Sequence, residues 1–251
     1  MSKTYLIANW KMNFTLPEAV SYAATLGTRF QPNPELEIIL APSTPFIYPL
    51  SQAVDQEKIK LASQTLSAPD FGAFTGETSA AQLANMVQYT LLGHSERRKY
   101  FDETDDDITE KIVVALNHQI TPVICVGETS AEREAGRTEE VLRTQLAAAL
   151  KSIDNEDVLI AYEPVWAIST QPNAKPATVE EISATVDKII EIIPQVSSDF
   201  IPPILYGGSV TPENITPFLS IPTITGALIG GASLDIEKMC AMIELAMKVS
   251  K

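Results

Sequence analysis

Eight short apolar runs, each followed by turn residues and then by a helical pattern, recur along this chain of 251 residues. They lie near Tyr5–Ala8, Glu37–Leu40, Ile59–Ala62, Tyr89–Leu92, Thr121–Val126, Val158–Tyr162, Ile204–Tyr206 and Gly226–Ile229. Runs that are apolar throughout, rather than alternating, suit parallel strands covered on both faces. Helix starts punctuate the intervals. Thr15-Leu16-Pro17-Glu18 and Thr178-Val179-Glu180-Glu181 have capping-box spacing, and Thr44-Pro45 and Thr211-Pro212 each set a hydroxyl before a proline suited to the first helical position. Ile182, Val186, Ile189, Ile190 and Ile193 form an apolar stripe at helical spacing. Eight strand–helix units with no leftover segment predict an α/β protein, a (β/α)8 barrel, with residues 1–251 forming one domain.

Composition narrows the partners. A net charge of −14 opposes long-range attraction to nucleic acid or to anionic membrane. No apolar run approaches the ~20 residues of a membrane span, and the first residues lack the pattern of a secretory leader. Cys125 and Cys240 are the only cysteines, so a disulfide framework is not expected and the cytoplasm is the plain reading. Two distant histidines and two lone cysteines show no metal-ligand spacing, so no metal is expected.

In such a barrel the chemistry sits in the loops beyond the strand ends. Asn9-Trp10-Lys11 follows the first run, Gly93-His94-Ser95-Glu96-Arg97-Arg98 the fourth and Glu163-Pro164-Val165-Trp166 the sixth. Gly207-Gly208-Ser209 and Gly230-Gly231 follow the last two. A base, a hydrogen-bond donor, a cation and two glycine-rich loops would thus converge on one face. His94 stands where a helix begins, and the N–H groups there favour an uncharged imidazole able to donate to a substrate carbonyl. The other histidine, His118, reads as structural. Glycine-rich loops are ordinarily just tight turns. They also let backbone N–H groups approach a phosphate, which is how an acidic protein can bind a dianion: direct donors act inside the ~8 Å over which salt screens the global field. Lys11 reads as an ordinary surface lysine, as a Schiff-base lysine of the aldolase kind, or as a fixed positive charge.

Seven segments stand in order along the chain: NWKMN (Asn9–Asn13), GAFTGE (Gly72–Glu77), GHSERR (Gly93–Arg98), CVGE (Cys125–Glu128), AYEPVWAI (Ala161–Ile168), YGGSV (Tyr206–Val210) and GGASL (Gly230–Leu234). In order and spacing this set resembles the triosephosphate isomerase family. The resemblance implies interconversion of dihydroxyacetone phosphate and D-glyceraldehyde 3-phosphate through an enediolate, without cofactor, in glycolysis and gluconeogenesis. It implies that Glu163 is the base, His94 the neutral electrophile, and Lys11 and Asn9 the groups that hold the phosphate and the developing oxyanion. Ser169, Ser209, Gly230 and Gly231 would bind phosphate, while Ser95, Glu96 and Cys125 would support the site, with Glu128 beside them. Phe71–Glu77 resembles the loop through which family members form homodimers, with Thr75 reaching toward the neighbour's site.

The chain departs from the family at Pro164–Thr178, which matches its lid. Ser169 stands at the first of two usual glycines and nothing replaces the second; with Thr178 as helix cap the lid is about three residues longer. Thr225 and Pro203 stand where the family often has Asp and Arg. Two rivals are an aldolase-type phosphate-binding barrel and a barrel that binds sugar phosphates without catalysis. The joint presence of Asn9, Lys11, His94 and Glu163 weighs against both.

Overall fold

A computed structural model describes residues 3–151, 153, 157–168, 175–197 and 200–249. Eight strands form one closed, wholly parallel barrel in sequence order: β1 (Thr4–Asn9), β2 (Leu36–Ala41), β3 (Ile59–Ser63), β4 (Tyr89–Leu92), β5 (Thr121–Val126), β6 (Leu159–Tyr162), β7 (Ile204–Tyr206) and β8 (Ile224–Ile229). β1 pairs with both β2 and β8, which closes the ring and leaves no edge. The helices around it are α1 (Leu16–Arg29), α2 (Thr44–Ala53), α3 (Ala80–Leu83), α4 (Ser95–Tyr100), α5 (Asp105–Asn117), α6 (Ser130–Glu134), α7 (Thr138–Leu150), α8 (Val179–Val196), α9 (Ile215–Leu219) and α10 (Ile236–Val249). None is long and apolar enough to cross a membrane, among the described residues.

The two-residue period of a strand sorts the core. Ile7, Ile39, Ala62, Leu91, Val123, Ala161, Leu205 and Leu228 fill the barrel's interior with Ala41, Tyr89, Cys125 and Leu159. Their sequence neighbours, such as Leu6, Leu40, Ile124 and Ile160, belong to the separate cluster packed under the helices. Runs buried on both faces are therefore what the apolar stretches encode. Extending the inward period beyond the strand ends leads from Ile7 to Asn9, from Ala62 to Gln64, from Ala161 to Glu163, from Leu205 to Gly207 and from Leu228 to Gly230. The same rule that fills the core lays the polar residues over its top.

The capping boxes at Thr15 and Thr178 form as expected. Two other starts differ. Ser43, not Thr44, caps α2, and its hydroxyl donates to the Lys11 carbonyl at 3.0 Å. Thr211-Pro212 opens a turn rather than a helix; the Thr211 carbonyl accepts from Asn214 and Ile215, and α9 begins only at Ile215. On α8 the buried face includes Thr185 and Ile192, whereas Ile190 is only partly covered. β8 starts two residues before the expected Gly226. Thr225 Oγ1 donates to the Ile204 carbonyl at 3.2 Å, so this departure ties β8 to β7, whereas Pro203 contributes its backbone carbonyl, which accepts from Ile160 N–H at 3.0 Å as any residue's would.

Candidate active site

Glu163 is the last inward step of β6 and is 2% exposed. Its backbone N–H donates to the Val126 carbonyl at 2.7 Å, which extends the strand pairing by one residue. Two glycines make room for it. A Cβ on Gly127 would lie 1.8 Å from the Glu163 carbonyl oxygen, and one on Gly207 would lie 2.9 Å from Glu163 Cγ. Neither position tolerates a side chain without moving this glutamate.

β4 ends at Leu92, and Gly93 takes φ +71°, turning the chain so that His94 caps α4. His94 Nδ1 accepts from the backbone N–H of Glu96 at 3.2 Å. An imidazole nitrogen that accepts carries no proton, so the ring's hydrogen resides on Nε2 in the neutral tautomer. Nε2 lies 3.0 Å from Glu163 Oε1. The second carboxylate oxygen, Oε2, accepts from the Ser95 backbone N–H at 3.0 Å. Ser95 therefore acts through its main chain; its buried hydroxyl has no partner among the described residues.

Lys11 lies just past β1 in the left-handed region, φ +52°. A lysine held there is costly by about 1–2 kcal/mol, and several contacts hold it. Its N–H donates to Asn9 Oδ1 at 3.0 Å, while its carbonyl accepts from Ser43 Oγ and, at 2.8 Å, from Gln64 Nε2. The side chain then reaches Glu96 Oε1 at 2.5 Å. Asn9, Lys11, His94 and Glu163 line one cleft of about 270 Å³ with Gly207, Ser209, Gly230 and Gly231. Ser209 Oγ donates to the Ala167 carbonyl at 2.8 Å, and Ser233 Oγ to the Gly230 carbonyl at 2.7 Å, so both glycine-rich turns are tied down. A second cavity of about 630 Å³ lies on the other side of Glu163, lined by Ser95, Gly127, Thr129 and Trp166, and contains neither Lys11 nor the glycine turns.

The sequence model described as "Triosephosphate isomerase" matches residues 4–246. The chain belongs to the triosephosphate isomerase family. Relatives bearing that name include proteins of Natranaerobius thermophilus (38% identical over 99% of this chain and 98% of the relative), Dehalococcoides mccartyi (39%, over 98% and 97%) and Chloroherpeton thalassium (41%, over 98% and 100%). Against the residues that the family resemblance pointed to, the structure brings Asn9, Lys11, His94, Glu163, Ser209, Gly230 and Gly231 around one cleft, while Ser95 and Glu96 reach it through their contacts to Glu163 and Lys11. Cys125 lies beneath, in the barrel interior; burial, then the Glu163 charge, push its thiol well above the ordinary value, which makes it a poor nucleophile. Thr75 is elsewhere, in the loop Phe71–Glu77, every residue of which is exposed. Ser169 lies outside the described residues. His118 caps the end of α5 and its Nε2 meets Asp70 Oδ1 at 2.9 Å, at the root of that loop. Gln64, Ser43 and Gly127 are the contributors that residue-type reasoning missed; for Gln64 the inward period of β3 was the available signal.

Proposed function

We propose that Glu163, His94, Lys11 and Asn9 carry out the family's reaction, the interconversion of dihydroxyacetone phosphate and D-glyceraldehyde 3-phosphate. The observation that carries this assignment is the meeting of a buried carboxylate and an imidazole whose Nδ1 accepts a backbone N–H, 3.0 Å apart, in the cleft that also holds Lys11 and both glycine turns. A glutamate base beside a neutral histidine is the pattern for which this family is the type case.

Glu163 takes a proton from the carbon next to the carbonyl. The electron pair moves into the carbon–carbon bond and the carbonyl pair moves onto oxygen, where the His94 Nε2–H donates. Lys11 and Asn9 stabilise the oxyanion of the resulting enediolate. Glu163 then returns the proton to the adjoining carbon. Both oxygens of Glu163 are engaged by Ser95 and His94, so at least one of these bonds gives way when substrate enters. The phosphate rests on the main-chain amides around Ser209 and Gly230–Gly231, with Ser169 from the lid.

A coupled assay with glyceraldehyde 3-phosphate should give isomerase turnover with no added metal; a folded sample with zero rate would leave only the non-catalytic binder. The aldolase alternative requires the Lys11 amine free to attack a carbonyl, whereas it is engaged by Glu96 Oε1 at 2.5 Å.

The reading extends to residues 1–251 as one domain, to a cytoplasmic location and to a homodimer. Phe71 and Phe74, 81% and 49% exposed, and Met12, 94% exposed, favour a second copy as cover. Sedimentation should therefore give twice the chain mass at micromolar concentration, and Phe74→Asp should shift it toward one chain. A wild-type protein that sediments as a monomer would overturn the dimer.

A further inference from the structure

Outside the cleft, one arginine touches both flanks of the stretch that follows the base. Arg133, on α6, donates from Nη1 to Glu128 Oε1 at 3.2 Å and from Nη2 to Glu181 Oε1 at 3.0 Å. Its guanidinium carbon also lies 4.2 Å from the centroid of the Trp166 ring. Each carboxylate continues the chain of contacts. Glu128, fully buried, accepts from Trp166 Nε1 at 2.9 Å and from Tyr162 Oη at 3.2 Å, and its carbonyl accepts from Val165 N–H at 3.2 Å. Glu181 Oε2 accepts from Thr178 N–H at 3.0 Å, and Glu181 N–H donates back to Thr178 Oγ1 at 3.2 Å. The Thr178 backbone bond, with Arg133 adding to it, holds the Glu181 carboxyl below its ordinary range.

We propose that Arg133 is a positioning residue for the isomerisation, holding the Trp166 flank and the Thr178 flank at a fixed spacing and with them the backbone that leads from Glu163. The proposal rests on the reading of Glu163 as the base. Neutralising the buried Glu128 would take a single contact from any cation. Arg133 instead divides its two terminal nitrogens between Glu128, which holds Trp166, and Glu181, which holds Thr178, while its plane covers the indole. Only a planar fork can do all three, so lysine is a partial substitute. Trp166 is three residues from Glu163 and Tyr162 is its neighbour; both are held by the same Glu128, so a shift at Arg133 reaches the base through two routes.

The test compares Arg133→Met, Arg133→Lys and Glu181→Gln with the wild type. Misplacing a reacting group by about 1 Å can cost on the order of 100-fold, so Arg133→Met should lower kcat roughly 10- to 100-fold with KM within about threefold. The same variant should release more inorganic phosphate per turnover. A poorly enclosed enediolate breaks its carbon–oxygen bond to phosphate, the electron pair leaves with the phosphate, and the remaining enol becomes methylglyoxal. Arg133→Lys should recover part of kcat. Glu181→Gln, which leaves Glu128 neutralised and frees only the Thr178 flank, should raise phosphate release to a smaller extent. Should these variants melt earlier yet keep wild-type kcat and phosphate release per folded molecule, Arg133 is structural and the proposal fails. If Arg133→Met does not fold, Glu181→Gln decides alone, wild-type phosphate release there overturning the proposal. A wild type without isomerase activity would instead sink the assignment of Glu163.

Discussion

Glu163→Gln should fold and nearly abolish turnover, with kcat falling by at least the roughly 10²–10⁴-fold that a positioned general base contributes. The amide cannot take a proton from carbon. It also fits its surroundings less well than the carboxylate. Glu163 accepts from two donors, the Ser95 N–H and the His94 Nε2–H, each at 3.0 Å. A glutamine offers one acceptor oxygen, so its NH₂ must face one of those donors. The histidine cannot adapt by moving its hydrogen to Nδ1, which is occupied by the Glu96 N–H. One buried donor left unpaired costs about 1–3 kcal/mol, small enough for the fold to survive. Circular dichroism and a melting curve would confirm the fold, and the coupled assay would read kcat. Glu163→Asp should fall between the two, because it keeps a base but withdraws it by one methylene. Turnover of the glutamine variant within about tenfold of the wild type would remove Glu163 from the reaction, since no positioned base contributes so little.

The barrel was readable because its strands are buried on both faces, which makes them continuous apolar runs; three of them, Tyr89–Leu92, Thr121–Val126 and Ile204–Tyr206, coincide with their runs at both ends. Helix starts were readable only where a reciprocal pair of side chains defines them, as at Thr15 and Thr178. At Ser43-Thr44-Pro45 two adjacent hydroxyls compete, and proline is tolerated at either of the first helical positions because the N–H it lacks has no intrahelical partner there. Within the site, strand period leads to Asn9 and Glu163. It says nothing about Lys11, which has left the strand in a left-handed turn whose supports, Ser43 and Gln64, are 32 and 53 residues away. Arg133 is invisible for the same reason. Its two carboxylates lie on different elements, and only the closed barrel brings α6 beside the start of α8.

Lys11→Met should be the second large loss, and it should appear in both KM and kcat. The chain carries a net charge of −14, and Glu96 and Glu163 add negative charge at the cleft itself. Lys11 is the cation that lines the cleft together with Asn9 and the glycine turns. Removing one preorganised donor of this kind costs about 10²–10³-fold in rate. Because Lys11 would touch the phosphate in the ground state and the enediolate oxygen only later, part of the loss belongs to binding and part to the chemical step. Stability should change little. The strained backbone at Lys11 is held by Asn9, Ser43 and Gln64, none of which depends on the ammonium group. Glu96, whose side chain is 29% exposed, can turn to water once its partner is gone, and ion pairs so exposed contribute at most about 1 kcal/mol. Inorganic phosphate offers an independent reading of the binding share, since it carries the dianion without the reacting carbons. Its inhibition of the wild type should weaken in the methionine variant by about the same factor as KM rises. If phosphate inhibition is unchanged while kcat falls, Lys11 acts on the enediolate alone and the anion is held entirely by main-chain amides; if neither changes, the cation has no part in the site.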